Sequence, residues 1–387
     1  MYEILTLNKI SPAGLDHFDP AKYQYGEDIA NPDAIMVRSA KMHDMVLPEN
    51  CLAIARAGAG TNNIPVDKCT EKGIVVFNTP GANSNAVKEL VICALLMTSR
   101  KIVPGIEFVK TLKGKGEDVG KLIEKSKSAY KGPEIMGKKL GVIGLGAIGV
   151  QVANAARSLG MEVYGYDPYL SVDAAWKLSS AINHASSLDD IFAKCDYITI
   201  HVPLTPDTKG TINAEGIAKM KDGVRILNFA RGGLVDTADL LAALGTGKIA
   251  AYATDFVEED LINVPGVIAF PHLGASTPES EDNCARMGAF ELIDYLENGN
   301  IKNSVNLPAA DMGPVKGDRL CVIHKNIPNT INRITGVFAD NNISDFMNRS
   351  KGEIAYTMLD VESPITDELV ETVKEVEGVF RVRILRP

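Results

Sequence analysis

The chain has 387 residues, 45% hydrophobic and 23% charged, a balance that suits two or three globular domains and excludes a disordered or fibrous chain. With 49 acidic against 40 basic residues the formal charge is −9, so no general attraction to nucleic acid or to an anionic membrane is expected. Six scattered cysteines form no CxxC pair, and the longest unbroken apolar run, Leu90–Met97, is far too short to span a bilayer.

These features predict no disulfide framework, no metal site and no membrane span. The N-terminus lacks the basic-then-apolar pattern of a signal peptide, so a cytoplasmic location is expected. Cys93 and Cys195 sit in apolar or strand-like surroundings and are expected to be buried thiols.

Along the chain, "AIMVRSA", "LAIARAGAG" and "GIVVFNTP" are short apolar runs that end in Arg, Gly or Asn-Thr-Pro, the usual close of a parallel strand. A helix follows from Ser84 or Asn85 through "SNAVKELVICALLMTSRKI". The stretch Val109–Lys139 carries nine lysines and four acids with signs interleaved, which reads as a solvated helix and loop.

From Lys138 the alternation becomes regular. "KLGVIG", "EVYGYD", "YITIHV", "VRILNFA", "IAAYATDF" and "GVIAF" are strands separated by helix-length segments, the pattern of a doubly wound parallel sheet. A long helix is expected from about Pro278 to Asn298. "NLPAADMGPVKGD" (306–318) is a linker, and the last seventy or so residues read as a βαββαβ module.

"GVIGLGAIG" places Gly144, Gly146 and Gly149 in G-x-G-x-x-G spacing between a strand and a helix. Asp167 ends the next strand eighteen residues later, which completes the dinucleotide fingerprint. A carboxylate there accepts ribose hydroxyls and repels a 2′-phosphate, so NAD is expected rather than NADP.

Catalytic groups are sought at the strand ends on the same side of the sheet. "NFARGGLVD" delivers Arg231, "ATDFVEED" delivers Glu258, Glu259 and Asp260, and "FPHLGAST" delivers His272. An arginine that grips a carboxylate and a histidine backed by an acid suit the oxidation of a 2-hydroxy acid.

Taken together, "VRSA" (37–40), "ARAGAG" (55–60), "NTPGANS" (78–84), "GVIGLGAIG", "YDP" (166–168), "HVPLTPDTKG" (201–210), "NFARGGLVD" and "PHLGAST" (271–277) resemble the D-isomer-specific 2-hydroxyacid dehydrogenases. The resemblance implies a Rossmann-type NAD domain (99–285) inserted into a flavodoxin-like α/β substrate domain (1–98 and 286–310). It implies cofactor contacts from Gly144, Gly146, Ala147, Ile148, Gly149, Asp167, Pro168, His201, Pro203, Thr208, Ala230, Asp255 and Gly274.

Arg38, Ser39, Arg56, Ala57, Gly58 and Asn83 are then the substrate contacts, with Arg231, Glu259 and His272 catalytic. The family's spacing puts the acid partner of His272 at Asp260, or at Glu259 if the shorter loop shifts it, and Glu259 is the one expected here. Two arginines beside a carboxylate-binding one suit a phosphorylated 2-hydroxy acid, and the implied reaction is oxidation of D-3-phosphoglycerate to 3-phosphohydroxypyruvate at the head of serine synthesis. A glyoxylate or hydroxypyruvate reductase of the same family is the alternative. A non-catalytic, NAD-sensing corepressor is the alternative of another class.

The tail (317–387) resembles an ACT domain, a regulatory module in which L-serine binds between paired copies. "HKNIPN" puts His324 and Asn326 at the serine-contacting positions. Asn329 stands where that motif usually has glycine, and Ser344 where it has a distal asparagine. Pairing into a homodimer or homotetramer is the expected assembly.

Overall fold

Ala34–Val37 is buried at all four positions, which a strand achieves only when both faces of its sheet are covered. The computed structural model describes residues 1–387, which divide into two units, 1–83 with 278–387 and 84–277. In the first unit β1 (Tyr2–Leu7), β2 (Tyr23–Gly26), β3 (Ala34–Val37), β4 (Ala53–Arg56) and β5 (Val75–Asn78) form a parallel sheet in the order β2-β1-β3-β4-β5. Alternate side chains sort onto its faces. Ile4, Met36, Ala55 and Phe77 join Ala289, Leu292 and Leu296 of the long helix Pro278–Asn298, while Leu5, Ile35, Ile54 and Val76 fill the opposite face.

The second unit is a seven-stranded parallel sheet of β6 (Lys139–Ile143), β7 (Glu162–Tyr166), β8 (Asn183–His184), β9 (Tyr197–Ile200), β10 (Val224–Asn228), β11 (Ile249–Thr254) and β12 (Val267–Ala269). Its order, β12-β11-β10-β9-β6-β7-β8, reverses between β6 and β9, the switch point at which such sheets bind ligands. Six of these strands stand where the sequence predicts them. The two-residue β8 is too short to leave a periodic signal.

The helix Ser84–Ser99 contributes Val87, Val91, Ala94 and Leu95 to a cluster with Val142, Val150 and Leu227, so it belongs to this nucleotide-side unit rather than to the outer domain (1–98) expected from the sequence. Residues 278–285, expected inside the NAD domain, belong to the first unit, because the helix they start packs on its sheet. Cys93 is exposed on the Ser84–Ser99 helix. This corrects the expectation of a buried thiol: it lies on the face turned away from that cluster. The lysine-rich stretch forms the helix Val119–Ser126 and the last two residues of the helix Ile102–Lys110, and neither helix buries a residue.

In the tail β13 (Asp318–Lys325), β14 (Ile343–Lys351), β15 (Ile354–Val361) and β16 (Val379–Leu385) make an antiparallel sheet in the order β14-β15-β13-β16, with helices after β13 and β15. Leu320, Val322 and Leu359 pack on those helices. From the other face, Cys321, Ile323, Tyr356 and Met358 enter the cluster that holds Phe77 and Tyr295. The module has a core of its own on one side and shares the outer sheet's core on the other. The fold class read from the sequence, two doubly wound parallel sheets plus a small βαββαβ domain, is the one observed. None of the helices is long and apolar enough to cross a membrane.

Candidate active site

The chain leaves β6 through Gly144, whose φ of +90° disfavours any side chain, and whose added Cβ would meet the His201 carbonyl oxygen at 2.7 Å. A Cβ on Gly149 would lie 1.9 Å from the Gly144 carbonyl oxygen, so the helix Ala147–Ser158 starts tight against the loop only because this position is glycine. Gly146 is different. It caps that helix with no side-chain hydrogen bond, and a Cβ there would meet nothing within 4 Å. The first N–H groups of the helix, including those of Ala147 and Ile148, have no acceptor within the helix, the arrangement that accepts a phosphate. Asp167 stands at the end of β7, before Pro168, and takes the Leu145 and Tyr169 N–H groups on its two oxygens, each at 2.8 Å. A carboxylate oxygen holds more than one hydrogen bond, so both remain able to accept ribose hydroxyls.

His201 follows β9. Its Nε2 lies 2.9 Å from Thr199 Oγ1, its Nδ1 is sealed from solvent without a partner, and burial pushes the ring down to about 3, so it is neutral. Thr208 Oγ1 donates to the Pro203 carbonyl at 2.5 Å and accepts the Thr205 N–H at 2.8 Å, which folds residues 203–208 into a compact turn. Asp255, after β11, is 4% exposed. One oxygen accepts the Gly274 N–H at 3.0 Å, and the other is buried without a partner. Burial raises its carboxyl above the usual range, while the Gly274 N–H, His272 and Arg231 pull it down. An open helix terminus, an acid at the ribose position and a buried unpartnered carboxylate oxygen fit a nicotinamide dinucleotide. The helix would hold its pyrophosphate, Asp167 a ribose, and Asp255 a hydrogen-bond donor of the ring.

Arg231 follows β10 by way of Ala230. Asn228, buried, receives the Ala230 N–H at 3.2 Å and donates to the Arg231 carbonyl at 2.8 Å, which fixes the path of the turn. The guanidinium lies 5.9 Å from the centre of the Phe256 ring, and the His272 ring lies 4.7 Å from the same ring. Phe256 therefore spaces the two catalytic candidates. His272 is exposed and has a φ of +48°, an unusual backbone for a residue with a Cβ.

The acid partner is where the structure departs from expectation. Glu259 makes no hydrogen bond to His272. It opens a one-turn 3-10 helix, Glu259–Leu261, anchored by buried Leu261. Of the three consecutive acids, Glu258 is the one that lines a cavity of about 480 Å³ with Asp255, Gly232, Phe256 and His272, and its carboxylate accepts a hydrogen bond from Thr237 at 2.8 Å.

In the outer unit Val37 and Arg56 are register partners on adjacent parallel strands, so Arg38 and Arg56 leave the sheet side by side. Arg56 Nε donates to the Arg38 carbonyl at 3.1 Å, and Gly58 leaves the space its guanidinium uses: a Cβ there would lie 2.2 Å from Arg56 Nη1. The Ala57 N–H continues the ladder to the Val37 carbonyl, and Asn8 accepts the Ser39 N–H at 2.9 Å. Arg38 rests on Glu281 at 2.5 Å, both about two-fifths exposed, a pair weak enough for an incoming anion to displace. Asn83 closes the same unit as the last residue before the Ser84–Ser99 helix.

In the tail, His324 is 1% exposed, with Nδ1 at 2.8 Å from the Lys325 carbonyl and Nε2 at 2.8 Å from Thr357 Oγ1. Asn326 is exposed and donates to the Gly352 carbonyl at 3.2 Å. Asn329 has the left-handed φ of +68° that its place in the motif demands.

Residues 92–274 match the model of the NAD-binding domain of D-isomer-specific 2-hydroxyacid dehydrogenases. The chain is 30% identical to D-3-phosphoglycerate dehydrogenase 1 of Saccharomyces cerevisiae over 99% of its own length and 87% of the yeast protein. The chain belongs to the D-isomer-specific 2-hydroxyacid dehydrogenases. It is also 35% identical to D-3-phosphoglycerate dehydrogenase of Bacillus subtilis over 80% of this chain, but spans only 60% of that relative. Among solved structures, an NAD+-bound 3-phosphoglycerate dehydrogenase from Entamoeba histolytica matches with a TM-score of 0.62 and 27% identity, covering 79% of this chain and 98% of that one.

Within this 2-hydroxyacid dehydrogenase, Asn228 and Phe256 are site residues that sequence reading missed. Asn228 is an amide at the end of an otherwise apolar strand, and Phe256 an aromatic next to an acid, so neither type signals chemistry by itself. Asp167 carries a prediction. Asp167→Asn keeps an acceptor for one of the two loop N–H groups and removes the charge facing a 2′-phosphate. A like-charge contact near a protein surface costs about 1–4 kcal/mol, so the preference for NADH over NADPH is expected to shrink by about tenfold or more in kcat/KM.

Proposed function

We propose that this chain oxidises D-3-phosphoglycerate to 3-phosphohydroxypyruvate with NAD. The observation that carries the substrate assignment is the pair Arg38 and Arg56 on adjacent strand ends, with Gly58 making room for the second guanidinium. Two arginines outside the nucleotide unit suit a second anionic group on the substrate, beyond the carboxylate that Arg231 takes in a bidentate grip. The names of the yeast, bacterial and Entamoeba relatives support the same reading.

Held by the helix Ala147–Ser158, Asp167 and Asp255, a nicotinamide dinucleotide would supply the hydride acceptor for the substrate carbon. The chain's own residues do the rest. A ring nitrogen of His272 takes the hydroxyl proton, and Arg231 fixes the carboxylate and so orients the substrate. The developing imidazolium needs an acid near it, and Glu258, which shares the cavity with His272, has the better position than Glu259. Glu258→Gln is therefore the variant to compare with Glu259→Gln. The tail would serve as a serine-responsive, pairing module, in which the His324 ring must give up Thr357 to reach a ligand.

The test is NADH consumption with 3-phosphohydroxypyruvate beside hydroxypyruvate and glyoxylate, each with and without L-serine. The phosphorylated substrate is expected to win in kcat/KM by at least about a hundredfold, since charge-assisted contacts contribute about 1.5–3 kcal/mol each. Equal rates with hydroxypyruvate would reassign the chain to the reductases and take the phosphate role from Arg38.

A further inference from the structure

A cavity of about 700 Å³ in the first unit has no part in the chemistry above. It runs along the long helix Pro278–Asn298, whose residues 283, 286, 287, 290, 291 and 294 line it at helical spacing, and the return segment 300–303 and Gly81–Ala82 complete its walls. That volume is in the range of small-molecule sites. At its wall sits Glu291, 6% exposed. Its Oε1 accepts the Asn303 side-chain N–H at 2.6 Å, and its Oε2 is buried with no partner. A buried, unpartnered carboxyl oxygen is costly to keep and asks for a ligand.

Every charged group in the cavity can be placed. Asp294 accepts from Asn298 and Asn300 on Oδ1, both at 2.9 Å, and keeps its negative charge at the end of the cavity where those amides lie. Lys302 makes no ion pair, and Arg286 reaches only the side chain of its neighbour Asn283, at 3.4 Å. Gly81 and Ala82 on the far wall carry no charge. Burial pushes the Glu291 carboxyl up to about 8, against the weaker opposing pull of Asn303 and Lys302. At neutral pH it is therefore protonated, and with Oε1 already accepting, the free Oε2 is a donor. Arg286, Lys302 and Glu291 then present donors only.

We propose that this cavity binds a small carboxylate or phosphate anion, held by Arg286 and Lys302 and closed by the carboxyl of Glu291. The bound acid group stacks no chemistry onto the reaction, and the site lies outside the residues assigned to substrate and cofactor. Raising the pH through about 8 ionises Glu291, turns its donor into a negative charge and expels the anion.

Calorimetric titration of the full chain with malonate, and separately with inorganic phosphate, tests this. Wild type is expected to take up one anion that Arg286→Ala/Lys302→Ala binds at least tenfold more weakly. Lys302→Gln, a single change at an exposed residue, guards against misfolding of the double variant. Turnover at saturating substrate is expected to stay unchanged in both, which separates this site from the substrate arginines. Malonate, which does not itself titrate between pH 6.5 and 9, should lose about tenfold in affinity over that range with wild type and little with Glu291→Gln, because one unit above its pKa an acid is about ten to one ionised. Response to malonate alone assigns a carboxylate ligand, and response to phosphate alone assigns a phosphorylated one. The same isotherm for wild type and both lysine variants, or no uptake of either anion, overturns the proposal.

Discussion

His272→Asn lowers kcat by about 10²–10⁴ and leaves NADH binding intact, as read by the fluorescence of bound NADH, if the histidine is the proton acceptor. Asparagine is the informative replacement for a structural reason. His272 holds a φ of +48°, and asparagine tolerates left-handed backbone better than alanine or any β-branched residue, so the turn from Phe270 to Gly274 is kept while the base is removed. The Phe256 contact, 4.7 Å between ring centres, is lost in the same variant. Phe256→Leu isolates that term and is expected to cost far less in kcat. A fall of less than tenfold in His272→Asn would mean that the proton leaves by another route, and the exposed His272 would then be a surface residue at a strand end.

The parts of this site that the sequence announces are those whose residue type is itself the mechanism. Glycine at 144 and 149 is legible because only a missing Cβ allows the two close approaches observed, Gly146 because its spacing completes the pattern, and Asp167 because its spacing puts a carboxylate at the end of β7. Arg231 and His272 are legible because they interrupt apolar strand ends. The acid partner is not. Residues 258–260 are three acids in a row, and which of them shares a wall with His272 depends on how the short loop between β11 and β12 winds, with Leu261 buried and residues 259–261 drawn into one turn. Asn228 and Phe256 are equally silent, since their roles are fixed by neighbours rather than by type. In the fold, strands buried on both faces were plain from their apolar runs. The allegiance of the Ser84–Ser99 helix was hidden, because an amphipathic helix at a boundary carries no mark of which sheet it will cover.

The docking of the tail was hidden for a different reason, and it yields the second large prediction. Asp360→Asn is expected to destabilise the unit that carries the tail by about 3–5 kcal/mol, read as a lower midpoint in urea unfolding. Arg319 is 1% exposed and commits its whole donor fork. Nε and Nη2 meet the two Asp360 oxygens at 2.5 and 2.7 Å, Nη1 donates to the carbonyls of Asn298 and Gly313, and Nη2 also reaches the Met312 carbonyl. The linker 306–318 is held by Leu307 and Ala310 in the shared core, and its Met312 and Gly313 carbonyls are satisfied by an arginine from the first strand of the tail. Asparagine at 360 leaves that guanidinium buried without a counter-ion, the costly half of a broken pair. Arg319→Lys is expected to be nearly as harmful, because an ammonium cannot reach carboxylate and three carbonyls at once. A loss below about 1 kcal/mol in both variants would class the pair with exposed surface bridges and would mean that the shared apolar cluster around Tyr295 and Tyr356 alone holds the tail in place.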